Sequence, residues 1–255
     1  MKKALEAIAA AALLAAASTA WATPSTTFWT PSTPYTQPYL VPHLTYDTYF
    51  GEQGAYPIDL GLTMGILPFD AVNAEVGADV LYPGNTGTTF GLNGKVTLVE
   101  GKLAPWQPGI SAGVSNIGFK KNVSDLYLLH AHVGKTFPVI GEIGGGVYTG
   151  LNDKILVDKN GNKENSGFFL HWMGPEIPVG LTGLKKIVPA ADFQSGNNAL
   201  GAVGGGLYFY FTDAIDLLVG PVFFLEPEVG GGPGKSDWLF TAQVDVDFDL
   251  RKPKK

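Results

Sequence analysis

From Trp238 to Leu250 the chain alternates almost without a break. Trp238, Phe240, Ala242, Val244, Val246, Phe248 and Leu250 form one set. Leu239, Thr241, Gln243, Asp245, Asp247 and Asp249 form the other, and only Leu239 departs from polarity. A period of two is the mark of a β-strand, whose successive side chains point to opposite sides. Soluble strands centre on about 5–6 residues, whereas a strand that crosses a membrane needs about 9–11. A strand of this length with one wholly apolar, aromatic-ended face suits a membrane barrel better than a soluble sheet.

The start of the chain predicts the compartment. Lys2 and Lys3 precede an apolar run from Ala7 to Ala17, and Ala20-Trp21-Ala22 has the small-x-small form of a cleavage site. This is the layout of a secretory signal peptide. The run is too short for a spanning helix, which needs roughly 20 residues. Cleavage is expected after Ala22, so residues 1–22 are the signal and the mature chain starts at Thr23. No Cys follows the site, which excludes a lipoprotein anchor. Beyond the signal, glycines and charges interrupt every apolar run, and a helical membrane protein is excluded.

Composition separates the two remaining classes, a soluble exported β-domain and an outer-membrane barrel. Only 16% of residues are charged, against about 25% in soluble domains. Removing the signal leaves 15 basic and 22 acidic residues, a net charge of −7. An acidic chain is a poor nucleic-acid binder, because phosphate contacts need Lys and Arg. The basic tail 251–255 reads as solvated.

Twelve strands are expected, at about 39–50, 56–66, 71–82, 88–99, 109–119, 125–136, 139–149, 167–173, 186–194, 199–211, 215–225 and 236–250. A Thr/Pro/Ser-rich lead segment, residues 23–38, precedes them. It carries Phe28, Trp29 and Tyr35, and is a candidate to dock on something or to enter the lumen as a partial plug. Several strands repeat the two faces of the last. Ile58, Leu60, Leu62, Met64 and Ile66 oppose Asp59, Gly61, Thr63 and Gly65. Val72, Ala74, Val76, Ala78 and Val80 oppose Asn73, Glu75, Gly77 and Asp79. The strands over 167–173, 186–194 and 215–225 are poorly patterned.

Alternation alone fits both a sandwich and a barrel. The polar face, however, is made of Gly, Ser, Thr, Asn and scattered carboxylates, with little of the Lys and Glu that coats soluble surfaces. Loop parity adds to this. With twelve strands running up and down, the short connections Pro68–Asp70, Phe137-Pro138 and Thr212–Ala214 share one end, and the long hydrophilic connection 151–166 lies at the other. Outer-membrane barrels have short periplasmic turns and longer outer loops. Two connections at the short-turn end, 101–108 and 174–185, exceed the rule. The expected fold is therefore an all-β, antiparallel up-and-down transmembrane barrel over residues 39–250, with an even strand count of about twelve, ten and fourteen being the alternatives.

With its signal, two-faced strands, short-turn parity and an aromatic near the C-terminus, the chain resembles bacterial outer-membrane β-barrel proteins. The openings Thr23–Trp29 and Thr45–Phe50 look like those of a group of small barrels to which no activity attaches. The resemblance implies residence in outer-membrane lipid after signal removal, and handling by the barrel assembly machinery through a terminal aromatic. Here the chain departs from the pattern, because Phe248 is followed by Asp249, Leu250 and the basic tail.

Candidate chemistry is thin. His130 and His132 lie two apart on one strand face, where a metal would need further ligands that are not identifiable. They read instead as lumen polar groups. Lipid-deacylating barrels carry His and Ser in close motifs, and nothing similar surrounds His43, His130, His132 or His171. No enzyme activity, metal or cofactor is expected. Asp158, Asn160, Asn162 and Glu164 have a calcium-loop look with the glycine misplaced for an EF-hand, and read better as a hairpin turned by Asn160-Gly161. Gly141–Tyr148 echoes Gly201–Tyr208 without the Lys-Ser/Thr ending of a phosphate loop.

The expected lumen set is Asp59, Glu75, Asp79, Lys95, His130, His132, Glu142, Asp245 and Asp247. A water-filled lumen of this kind favours cations. In a lumen packed shut these groups must pair, Lys95 beside Glu75 and Asp79 first. The leading expectation is a small passive, porin-like channel with an acidic lumen, for small ions or solutes. The alternatives are a non-conducting structural or loop-presenting barrel and a soluble exported β-domain.

Overall fold

The structure, a computed structural model, describes residues 26–30, 33–51, 57–82, 87–230 and 236–251. The expected signal peptide with its cleavage site, and the tail beyond Arg251, lie outside these residues.

Thirteen strands form a single sheet. They are β1 (Pro42–Phe50), β2 (Ile58–Gly65), β3 (Val72–Tyr82), β4 (Thr89–Leu98), β5 (Gly109–Gly118), β6 (Asp125–Phe137), β7 (Gly141–Gly150), β8 (Ser166–Met173), β9 (Ile177–Leu181), β10 (Leu184–Gln194), β11 (Ala202–Tyr210), β12 (Ile215–Phe224) and β13 (Trp238–Asp247). The order runs β11-β12-β13-β1 through β8 to β10, and β10 pairs back onto β11. The sheet is thereby closed into an antiparallel barrel of 12 strands. Closure leaves no edge with unpaired backbone groups, the condition for strands in an apolar medium.

The thirteenth strand corrects the expected loop 174–185. Strand β10 is longer than the pattern suggested. Its Ala190–Gln194 pairs with β8, and Leu184–Ile187 pairs with β9. Strand β9 thus continues the line of β8 after a break at Gly174-Pro175, where the Gly174 N–H bonds to the Pro189 carbonyl at 2.7 Å. The connection shrinks to Thr182-Gly183, with Gly183 at φ 86°. Proline's missing N–H interrupts a ladder without ending the strand path, a break that reads as loop in a sequence.

The two faces are inverted relative to a soluble sheet. In β13, Leu239, Thr241, Gln243, Asp245 and Asp247 are buried, while Trp238, Phe240 and Val244 are exposed. The same holds for Leu60 and Leu62 in β2, Val72, Val76 and Val80 in β3, and Val147 in β7, all outward and exposed. Aromatic residues crowd both rims of this belt: Tyr82, Phe90 and Phe119 at one, Phe69, Trp106, Phe137 and Phe211 at the other. An apolar band of this extent, girdled by aromatics, needs an apolar surrounding rather than water.

The interior is divided. The inner face of β10–β12 is largely apolar, with Val188, Ala190, Tyr208, Tyr210 and Leu218 packed around Phe28 of the lead segment. A second cluster joins Leu126, Leu128, Tyr148 and Phe169 to Leu156, from the connection between β7 and β8. The two glycine runs explain how rings fit against these walls. A Cβ on Gly146 would meet the Phe169 ring at 2.5 Å, and one on Gly204 would meet Cβ of Phe28 at 2.7 Å. Each run leaves a bare backbone floor for a phenyl ring, with Tyr148 or Tyr208 beside it. The connection 151–165 is a small hairpin as expected: Val157 bridges Lys163, Gly161 sits at φ 80°, and Asp158 accepts from the Asn160 and Asn162 amides.

Candidate functional site: the barrel interior

The barrel has a loop end, with the connections 119–124, 151–165 and 195–201, and a turn end, with 66–71, 138–140 and 211–214. The lead segment lies inside it. Residues 27–30 form a bend beside β10–β13, and residues 33–40 then cross the turn end before β1 begins. Thr27, Phe28, Thr30, Thr33, Thr36 and Gln37 are all buried.

One side chain anchors the bend. The Asp192 carboxylate, on the inner face of β10, accepts the backbone N–H of Phe28 (2.6 Å), Trp29 (2.8 Å) and Thr30 (3.2 Å), and the Thr27 hydroxyl. Three consecutive N–H groups curled around one anion form a nest, a concavity that suits negative charge. Gln243 donates to the Phe28 carbonyl at 2.9 Å, and the Trp29 indole donates to the Leu200 carbonyl at 2.9 Å. Lower down, Ser111 donates to the Thr33 carbonyl, and the Gln37 N–H bonds to Glu75 at 2.7 Å.

Where the segment meets the turns, Tyr35 reaches Thr136 and Glu100. Glu100 also accepts the Thr136 N–H and hydroxyl and pairs with Lys135 at 2.8 Å. Burial pushes its carboxyl up, but Lys135 and the two Thr136 donors outweigh that and hold it below the usual carboxylate range. A group lowered in the folded state adds stability above its unfolded value, near 4.3, and loses it as pH falls through the folded value. Protection of the Thr136 amide in hydrogen exchange is therefore expected to hold above about pH 5 and to decline below about pH 4. Constant protection down to pH 2 would remove Glu100 from this role.

A cavity of about 650 Å³ lies in the lumen. Its lining starts at the loop end with Asn122, Ser124 and Leu200, and continues down to His43, Thr63, Glu75 and Lys95. No turn-end connection lines it; the lead segment lies there. Of the sequence-named residues, Asp59, Glu75, Asp79, Lys95, His130 and Asp245 line this cavity. His132, Glu142 and Asp247 are buried but are not among its lining.

Carboxylates follow one wall. Asp59 and Asp47 are direct cross-strand neighbours, as are Asp245 and Asp216. Asp79 lies on β3, and Gly61 makes room for it: a Cβ there would meet the Asp79 carboxylate at 2.8 Å. Like charges placed directly opposite destabilise a sheet, so this wall is costly unless something positive compensates it. His43 supplies part of that, with Nε2 at 3.2 Å from Asp245 and Nδ1 at 2.8 Å from Asp247. Lys95 pairs with Glu75 at 3.1 Å, and Asp79 instead accepts from Asn93 at 2.6 Å. Glu142 bonds His171 at 2.7 Å. His132 stacks on Phe169, ring centroids 4.1 Å apart, with His130 edge-on to it.

No protein-family model and no curated protein sequence matches the chain. Among solved structures it is similar to the NanC porin, at a TM-score of 0.51 and 11% identity over 81% of this chain and 100% of that one. The fold is that of a porin barrel. The chain also aligns with the COG4313 outer membrane channel from Pseudomonas putida F1, at a TM-score of 0.48 and 12% identity over 82% of this chain and 94% of that one.

Four interior residues of this porin-like barrel escaped the sequence reading as site members: Asp192, Asp47, Asp216 and His171. Asp47 and Asp216 could have been found by extending the inward phase of their strands from the neighbouring polar positions. Nothing in the sequence tied Asp192 to a backbone bend over 160 residues away.

Proposed function

We propose that the protein is an outer-membrane barrel that passes small solutes passively, with a preference for cations, and that it is not an enzyme. The observation that carries this is the acidic wall Asp59, Asp79, Asp47 and Asp245 along a cavity that reaches the loop end. Carboxylates lining a water-filled passage favour cations over anions. The porin fold and the apolar outer belt support residence in outer-membrane lipid. On this reading the loop end faces outward, the turn end faces the periplasm, the first 22 residues are a cleaved signal, and the barrel assembly machinery inserts the chain.

Reconstitution in planar bilayers tests it. Discrete conductance steps are expected, with a reversal potential in a salt gradient that shows cation preference. Neutralising Asp47, Asp59 and Asp245 together should bring that preference close to zero. Anion preference in the unaltered protein would overturn the charge assignment.

A second reading, a non-conducting barrel, has its own support: the lead segment crosses the turn end, and the large rings of Phe28, Tyr208 and Phe169 are fully buried inside the barrel. Insertion without current would favour it. The third alternative, a soluble exported domain, is poorly supported by a belt of exposed Leu, Val and Phe around the whole barrel. Recovery of the protein from the soluble fraction, with gel mobility unchanged by boiling, would restore it.

A further inference from the structure

We propose that the loop-end half of the lumen binds an organic ammonium ion, its charged head between Asp47 and Asp59 and its body against Trp29 and Tyr49. This rests on the pore reading above and names the class of solute that the pore would take.

Asp47 and Asp59 face each other in register across β1 and β2. None of the ion pairs among the described residues includes either of them, or Asp79. Asp47 is only 9% exposed, lines the cavity, and has one carboxylate oxygen bonded to the Thr45 hydroxyl at 2.7 Å. Asp59 lines the same cavity, and its Oδ1 is buried without a hydrogen-bond partner. Two carboxylates held this way repel each other when ionised, and a cation between them relieves that repulsion as a shared proton would.

The remaining lining selects the kind of cation. No group of three or more His, Asp or Glu residues among those described has the geometry to hold a metal ion. Trp29 and Tyr49 both line the cavity with ring centroids 5.4 Å apart and planes at 86°. Both rings belong to the cavity lining, and aromatic quadrupoles attract a diffuse positive charge. Leu126, Leu128 and Leu200 line the cavity as well, and disfavour a strongly hydrated ion. The volume is that of a small-molecule site, typically about 300–1,000 Å³. His130 adds a polar group to the same cavity: it is 7% exposed, lines the cavity, and its Nδ1 has no hydrogen-bond partner among the described residues. A polar group on the ligand body would give that atom a partner.

The test is calorimetric titration of the full barrel in detergent micelles with benzyltrimethylammonium, benzyl alcohol and benzenesulfonate. The cation is expected to bind at least about tenfold more tightly than the other two. D47N/D59N should abolish that difference, with folding checked by heat-dependent gel mobility, and Y49L should weaken the cation by roughly fivefold, the size of one cation–π contact. Equal binding of the three probes, or none, overturns the proposal without reference to any variant. Bilayer recording separates this site from the pore. Potassium current that benzyltrimethylammonium fails to block, together with no calorimetric preference, removes the site and leaves the pore standing. Selective binding to a barrel that passes no current removes the pore and leaves the site.

Discussion

Replacing Asp192 with alanine is expected to release the lead segment from the barrel wall. The carboxylate accepts from Phe28, Trp29, Thr30 and Thr27, and its removal leaves four buried or part-buried donors without that acceptor. Hydrogen bonds to a charged group contribute roughly 1.5–3 kcal/mol each, and they are not additive when they share one acceptor. A loss of about 3–5 kcal/mol in docking the bend is therefore expected. Hydrogen exchange should show it directly, as loss of protection at the amides of residues 28–30 while β13 and β1 stay protected. Single-channel conductance should rise, because Phe28 and Trp29 no longer hold their place in the section. D192N keeps an oxygen that can accept but loses the charge, and should fall between the two. Unchanged exchange and unchanged conductance in D192A would show that the apolar packing of Phe28 with Tyr208 and Leu218 holds the segment by itself.

The second large effect concerns Lys95. It is buried, as is Glu75, and the two are 3.1 Å apart. Removing one partner of a buried pair typically costs about 3–5 kcal/mol, because the other charge stays behind without compensation. K95M should fall at the lower end of that range, since the Gln37 N–H still bonds to Glu75. K95M/E75M should recover most of the loss, and E75M alone should also free the lead segment near Gln37. Equilibrium unfolding of the lipid-reconstituted barrel in urea would measure the series. A double variant no more stable than K95M would mean that the pair is not the energetic unit it resembles.

What could be read from the sequence follows the physics of contrast. The strands β2, β3, β4, β6 and β13 separate an apolar exterior from a polar interior, so period two stands out and the strand count is correct. The poorly patterned strands are β8, β10 and β12, and the structure gives the reason. Their inner faces carry Phe169, Val188, Ala190, Leu218 and Val222, which pack against the lead segment and against one another. With apolar residues on both sides the alternation disappears, and only the backbone path remains. Asp192 is the costliest omission of that kind, a single carboxylate in an otherwise low-contrast strand. Pairing is partly legible: the sequence groups Lys95 with Glu75 and Asp79, and the structure gives it Glu75 while Asn93 takes Asp79. The break between β8 and β9 was not, because a strand that continues past Gly-Pro looks the same in sequence as a loop.

The contacts of the lead segment also bear on how such a barrel closes. The seam between β1 and β13 joins the two ends of the chain, and residues 43–50 must find residues 240–247 across the longest contour in the molecule. The segment just before β1 is bonded to Asp192 on β10 and to Gln243 on β13. Once that bend has docked, β1 is tethered by about a dozen residues to the strand it must pair with, and the entropy of closing a loop grows with its length. The segment is thus a splint across the seam. A barrel made without it would still have every strand, but would have to search for its own ends.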